Sequence, residues 1–195
     1  PVIGTNLKLS LLLMLNRIKE TLQVPTFFCN SNISSIWKKK GDRMKLQYHR
    51  GLFLGSIFKT IIMKLLYRRN YKTIDSNMSE SNVGGRKGRS VRDNIFVLNA
   101  ILNSIQKGSK EPHDVQVFDV QQCFDAMWLE ECINTLYEAG LQNDKLNILY
   151  MTNASAEVAI KTSAGITDRS TIMKIVMQGT VWANMFCVVL LDKLG

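Results

Sequence analysis

The 195 residues are 46% hydrophobic, which is enough to build the core of one large domain or two small ones, so the chain should fold. Twenty-five Lys and Arg against sixteen Asp and Glu leave +9 at pH 7, a balance that favours a polyanion, nucleic acid first and an acidic membrane surface second. The apolar run Leu11 to Leu15 falls far short of the ~20 residues of a spanning helix, and Cys29, Cys123, Cys132 and Cys187 form no C-x-x-C pair, which argues against a zinc knuckle or disulfide framework and for a reducing compartment.

The chain opens on Pro1 without an initiator Met or a secretory leader, so a piece of a longer protein is expected. Asn6 to Gln23 sets Leu7, Leu11, Leu15, Ile18 and Leu22 at three- and four-residue steps, which predicts an amphipathic helix stopped by Pro25. Ile33 to Trp37 is a short strand candidate, and Lys38-Lys39-Lys40-Gly41-Asp42-Arg43 reads as the charged tip of a hairpin. From Ser56 onward, Ile57, Ile61 and Leu65 form one helical row beside Phe58, Ile62 and Leu66, while Lys59, Lys64, Arg68 and Arg69 occupy other faces. One side should be core and another basic. Ser90 with Asp93 resembles a capping box ahead of Val91, Ile95, Leu98, Leu102 and Ile105, so a helix is predicted as far as Gly108.

Val115 to Asp119 reads as a buried strand. Asp119 would share a face with Val115 and Val117 while Phe118 and Val120 point the other way, so both faces are apolar before the carboxylate. Beyond it, Leu129 to Ala139 predicts a helix ended by Gly140, and Asn143-Asp144 begins another that runs through Tyr150. Ala156 to Thr162 and Ser170 to Val176 are strand candidates around a Gly165 turn, and Trp182 to Leu194 reads as helical. The polar stretch Gly108 to Asp114 divides a largely helical front half from this βααββα pattern.

Phosphodiester synthesis needs divalent cations, one activating the attacking hydroxyl and one holding the triphosphate, and carboxylates on rigid elements must ligate them. Asp119 at a strand end suits that task; the bland reading makes it a cap of the following turn. Five pieces occur in order: Ile36-Trp37-Lys38-Lys39-Lys40-Gly41-Asp42, Arg50-Gly51, the segment Gly84 to Asp93, the Asp119 strand, and Gln178-Gly179. With these, nearly the whole chain resembles a reverse transcriptase of the non-LTR retrotransposon kind.

The resemblance implies an α+β, right-hand polymerase architecture. Residues 1–110 would be an N-terminal helix and mostly helical fingers with a short hairpin. Residues 111–195 would be a partial palm, an antiparallel sheet packed on helices, truncated before the Asp-Asp motif. It implies an RNA-directed DNA polymerase, with an RNA template, a DNA primer and deoxynucleoside triphosphates as partners, no membrane, and the rest of palm and thumb missing. The location would be the nucleus or cytoplasm of a eukaryotic host. Asp119 becomes a catalytic metal ligand for Mg²⁺, with the Val120 carbonyl serving the triphosphate-side ion. Lys40 (or another lysine of its run), Arg50, Cys123, Phe124, Gln178 and Gly179 become nucleotide-binding residues. Arg50 would grip phosphate bidentately. Phe124 would exclude a ribose 2′-hydroxyl, although an ordinary core Phe is the equal alternative. Arg86, Lys87, Arg89 and Arg92 become template contacts to phosphate.

The chain departs from the family pattern in two minor places, where Ala183-Asn184 stands for Ser-Pro after Gln-Gly and His49 precedes Arg50. The larger departure is that no Asp-Asp pair occurs in the sequence. One aspartate does not readily neutralise two divalent ions, so this chain alone is expected to be inactive. The alternative is an inactive, truncated nucleic-acid-binding remnant.

Overall fold

Local periodicity and turn chemistry account for most elements of the computed structural model, which describes residues 4–108, 114–120, 123–154, 156–162, 164–171 and 179–193. Helix α1 (Thr5–Thr21) buries Ile18 and ends where Leu22 adopts a left-handed conformation, φ 56°. Pro25 does more than stop it. A single-turn helix α2 (Thr26–Cys29), which the sequence did not suggest, opens directly after Pro25 and buries Phe28 and Cys29.

Strands β1 (Ser31–Trp37) and β2 (His49–Gly55) form the expected hairpin, in antiparallel register from Ser31↔Gly55 to Trp37↔His49. His49 clamps the long tip. Its Nε2–H donates to the Arg43 carbonyl at 2.7 Å and its Nδ1 lies 2.8 Å from Ser35 Oγ, which explains a polar ring before Arg50.

Ser56 caps α3 (Ile57–Ser76) by accepting from the Lys59 N–H at 3.1 Å while its hydroxyl donates to the Phe28 carbonyl at 2.8 Å. The buried face differs from expectation: it carries Lys59, Ile62, Met63, Asn70, Tyr71 and Ile74, whereas Ile57 and Leu65 are exposed. Trp182 sets this rotation by donating from Nε1 to the Met63 carbonyl at 3.0 Å. Helix α4 (Val91–Gly108) has the predicted box, the Asp93 carboxylate accepting from the Ser90 N–H at 3.1 Å and Ser90 Oγ from the Arg92 N–H at 3.2 Å. Val91, Ile95 and Leu98 of its apolar row are nevertheless exposed and Leu102 and Ile105 only half-buried, with no residue of the helix buried.

The short helix α5 (Cys123–Ala126) precedes α6 (Leu129–Glu138) and α7 (Asn143–Ala154). Gly140 ends α6 as expected, at φ 91°, with the Leu141 N–H reaching back to the Leu136 carbonyl at 2.9 Å. A Cβ there would stand 2.9 Å from Asn77 Nδ2 and 3.2 Å from Thr73 Cγ2, because this corner is docked on α3.

Strands β3 (Glu157–Thr162), β4 (Gly165–Ile166) and β5 (Ser170–Thr171) complete a sheet ordered β2-β1-β3-β4, with β5 also on β3. The sheet is mixed rather than antiparallel, since β1 and β3 run parallel from Ser31↔Val158 to Ser34↔Lys161. Parallel neighbours need a long crossover, and here helices α3 to α7 supply it. The expected strand at Ser170 to Val176 starts on time, but residues 172–176 lie outside those described. Helix α8 (Ala183–Asp192) closes the fold.

The architecture is therefore α+β. One buried cluster unites Ile18, Phe28 and Ile74 with Leu136, Leu149, Trp182 and Phe186, so residues on both sides of position 110 share a core. No helix among the described residues is long and apolar enough to cross a membrane.

The expected strand at Val115 to Asp119 is the main correction. Residues 114–120 have no regular structure, and Val117 and Phe118 are 88% and 85% exposed. A strand needs a neighbour for its N–H and C=O groups. Strand β1 lies between β2 and β3, β3 pairs with β1, β4 and β5, and this segment joins none of them.

Candidate nucleic-acid interface

Helix α8 meets several of the segments that the sequence singled out. Trp182, 1% exposed, sits against Tyr67 with rings edge to face at 5.7 Å, and this anchor starts α8 at Ala183 without the Ser-Pro of the family pattern. Met185, Phe186 and Val189 then bury one face.

Just before the helix, Gly179 has φ 99°, and a Cβ there would fall 2.7 Å from Leu52 Cδ1 and 3.4 Å from the Phe53 carbonyl. Only glycine tolerates both the left-handed backbone and that approach. Gly179 is thereby seated on β2, immediately beyond Arg50-Gly51, two pieces far apart in the chain. Arg50 is exposed across from Ile36, and Lys40 is exposed at the hairpin tip. Lys38 is less available, because its Nζ donates to the Gln47 carbonyl at 3.2 Å. Gln178 lies outside the described residues.

The other end of α8 holds the basic loop. The Asp192 carboxylate accepts from the Ser79 N–H at 3.1 Å and from Asn82 Nδ2 at 3.0 Å, and Asn82 Nδ2 also donates to the Val188 carbonyl at 2.9 Å. Gly85, φ 65°, lies against Val188. No sequence signal pointed to Asp192, since its role is to cap a loop more than a hundred residues earlier.

Arg86 departs from its expected role on the template path. Its side chain is 2% exposed, and Nε donates to Asp75 Oδ1 at 2.8 Å. Nη1 donates to the carbonyls of Ser79 at 2.6 Å and Asn82 at 2.9 Å, and Nη2 to that of Asp75 at 2.9 Å. This fork of donors folds the loop and leaves the guanidinium facing protein. The bond from Arg86 holds the Asp75 carboxyl below its ordinary range, helped by the Tyr71 hydroxyl.

Arg89 pairs with Glu80 at the surface. Lys87 is exposed, its N–H donating to the Tyr71 hydroxyl oxygen at 2.7 Å and its Nζ 5.1 Å from the centre of that ring. Arg92 is exposed on the first turn of α4.

The middle of α8 meets α5. Cys123 Sγ and Cys187 Sγ lie 3.1 Å apart, and burial, followed by the Cys123 sulfur, pushes the Cys187 thiol up to about 12. Burial likewise raises Cys132 to about 12, so neither thiol is a ready nucleophile. Phe124 is half-buried and packed on the core cluster, a position that agrees with an ordinary core role.

Asp119 and Val120 lie in exposed, irregular backbone. Among the described residues no three His, Cys, Asp or Glu side chains converge to hold a metal ion. Magnesium needs hard oxygen donors fixed on rigid elements, so these residues do not by themselves fit a two-magnesium centre. A surface depression of about 480 Å³, lined by Tyr137, Gln142, Asn143, Asp144 and Lys145, contains none of the expected nucleotide-binding residues. No protein-family model matches the chain, and no curated protein matches it.

Proposed function

We propose that this chain is the fingers and partial palm of a reverse-transcriptase-like polymerase, able to grip a nucleic-acid strand and unable to join nucleotides unaided. The observation that carries this reading is the convergence on α8. Gly179 sits on β2 beside Arg50-Gly51, Cys123 of the segment after Asp119 touches Cys187, and the loop from Ser79 to Gly88 is tied to Val188 and Asp192. The basic loop and the segment after Asp119 meet α8 itself, and Gly179 in the turn that opens α8 meets β2. A polymerase needs its phosphate-gripping, template and nucleotide elements at one place.

In this reading Arg50 and Lys40 supply exposed cations for phosphate oxygens, and Gly179 permits close backbone approach on the strand that carries Arg50. Lys87, Arg89 and Arg92 carry sequence-independent backbone contacts, while Arg86 shapes the loop that presents them. The unsupported segment around Asp119 favours the inactive form of the reading.

The test is binding of an RNA template annealed to a DNA primer, followed by fluorescence anisotropy in chelator, beside a primer-extension assay with Mg²⁺ and deoxynucleotides. Salt-dependent binding without extension is expected. No binding at low salt overturns the proposal. Extension that survives Asp119→Asn removes that residue from its assigned role.

A further inference from the structure

The outward face of α3 carries a row of cations for which the arrangement around α8 has no use. Lys64, Arg68 and Lys72 follow one another at four-residue steps, with Arg69 flanking them, and all four are exposed. At about 100° per residue, the middle of this row lies opposite Lys59, Ile62, Met63, Asn70 and Ile74, which are buried, while buried Tyr71 borders it on the flank that the Lys87 loop covers. None of the four enters an ion pair among the described residues. The one carboxylate of the helix, Asp75, is already held by Arg86 and Tyr71. The face is therefore cationic without internal compensation.

We infer that the Lys64–Arg68–Lys72 face of α3 binds the phosphodiester backbone of single-stranded RNA. This rests on the nucleic-acid-binding reading above and assigns it a second surface. Successive cations rise about 6 Å along the helix, close to the separation of neighbouring phosphates in an extended strand. A duplex groove is a poorer occupant, because a helix enters a groove only when it protrudes, and α3 is embedded along its opposite face. A flexible strand can lie along the convex row, and each neutralised phosphate releases counterions. Helix ends play no part, since the cations sit in the middle turns.

The deciding measurement is the salt dependence of single-stranded RNA binding by the full chain in chelator. Wild type is compared with Lys64→Gln/Arg68→Gln/Lys72→Gln and with a charge-matched control, Lys8→Gln/Lys19→Gln/Lys145→Gln, whose three lysines are exposed on α1 and α7. The α3 variant should bind on the order of tenfold more weakly near 0.1 M salt, with a log–log salt slope shallower by about 2, at roughly 0.7 per lost phosphate contact. The control should stay within about twofold of wild type, and all three proteins should melt alike because every changed residue is exposed. Equal loss in both triple variants means bulk charge alone and overturns the inference. So does wild-type affinity in the α3 variant, which would leave the α8-centred reading standing if the primer–template still binds. Binding of anionic phosphatidylserine vesicles by wild type, without RNA binding, would overturn both.

Discussion

Helices α8 and α4 are both rich in apolar residues, yet one is the hub of the molecule and the other has no buried residue. Helix α8 succeeds because particular side chains meet particular partners: the Trp182 indole reaches a carbonyl of α3, and the Asp192 carboxylate takes the N–H groups of a distant loop. Helix α4 has a better cap and a cleaner apolar row, but Ile95, Phe96 and Ile101 face solvent. The segment around Asp119 shares that condition. Periodicity states which face seeks burial, whereas burial itself needs a complementary surface within reach.

The sharpest way to break this contrast is to unlace the loop on α8. Arg86→Ala removes the guanidinium's bonds to the Asp75 carboxylate and three carbonyls, and should lower stability by about 2–3 kcal/mol in urea unfolding, less than a fully buried pair because Asp75 keeps some solvent and the Tyr71 hydroxyl. Arg86→Lys should not restore it, since an ammonium cannot reproduce the planar fork. The Asp75 part is present above about pH 4 and is lost as pH falls through the lowered folded value. A loss under about 0.5 kcal/mol would mean that the loop is held by other contacts.

Lys59 sharpens the contrast from inside the core. Burial lowers its pKa to about 8, with the nearby Cys29 opposing, and its ammonium donates to the Cys29 carbonyl at 3.1 Å. An unfolded lysine holds its proton to about pH 10.4. Between these values the unfolded chain binds more protons, so the lysine's penalty is full below pH 8 and fades as pH rises to about 10.4. Lys59→Met should therefore stabilise the protein by on the order of 1–2 kcal/mol at pH 7, the penalty offset partly by the lost bond. The gain over wild type should vanish above pH 10. A difference that stays flat from pH 7 to 10 would contradict this account.

The smallest effect is expected on α4. Ile95→Gln with Phe96→Gln should change unfolding free energy by less than about 0.5 kcal/mol, because both side chains already face water. The same variant should sediment with less self-association than wild type. A large destabilisation would show that the helix is packed in solution, and would erase the difference from α8.

Much of the local architecture was legible in the residues themselves. The Ser90–Asp93 box, the Gly140 stop, the hairpin around Lys38 to Arg43 and the helix after Ser56 follow from hydrogen bonding and backbone sterics within a few positions. The basic segment was visible too, but not that its central Arg86 faces inward, because its partners at Asp75, Ser79 and Asn82 become neighbours only once the chain turns.

The chain's order of residues by itself determined the longer helices, the Pro25 and Gly140 stops, and the excess of positive charge, since these depend on nearest neighbours and on charge counts, whereas the single-turn helices α2 and α5 were not legible in it. Tertiary structure alone decided that β1 and β3 run parallel, that Lys59 is buried while Lys64, Arg68 and Lys72 are not, that Gly179 lies on Leu52, and that the backbone around Asp119 is left without a sheet. The physical reason is that pairing, burial and docking are properties of two surfaces at once, and a sequence read along its length displays only one of them at a time.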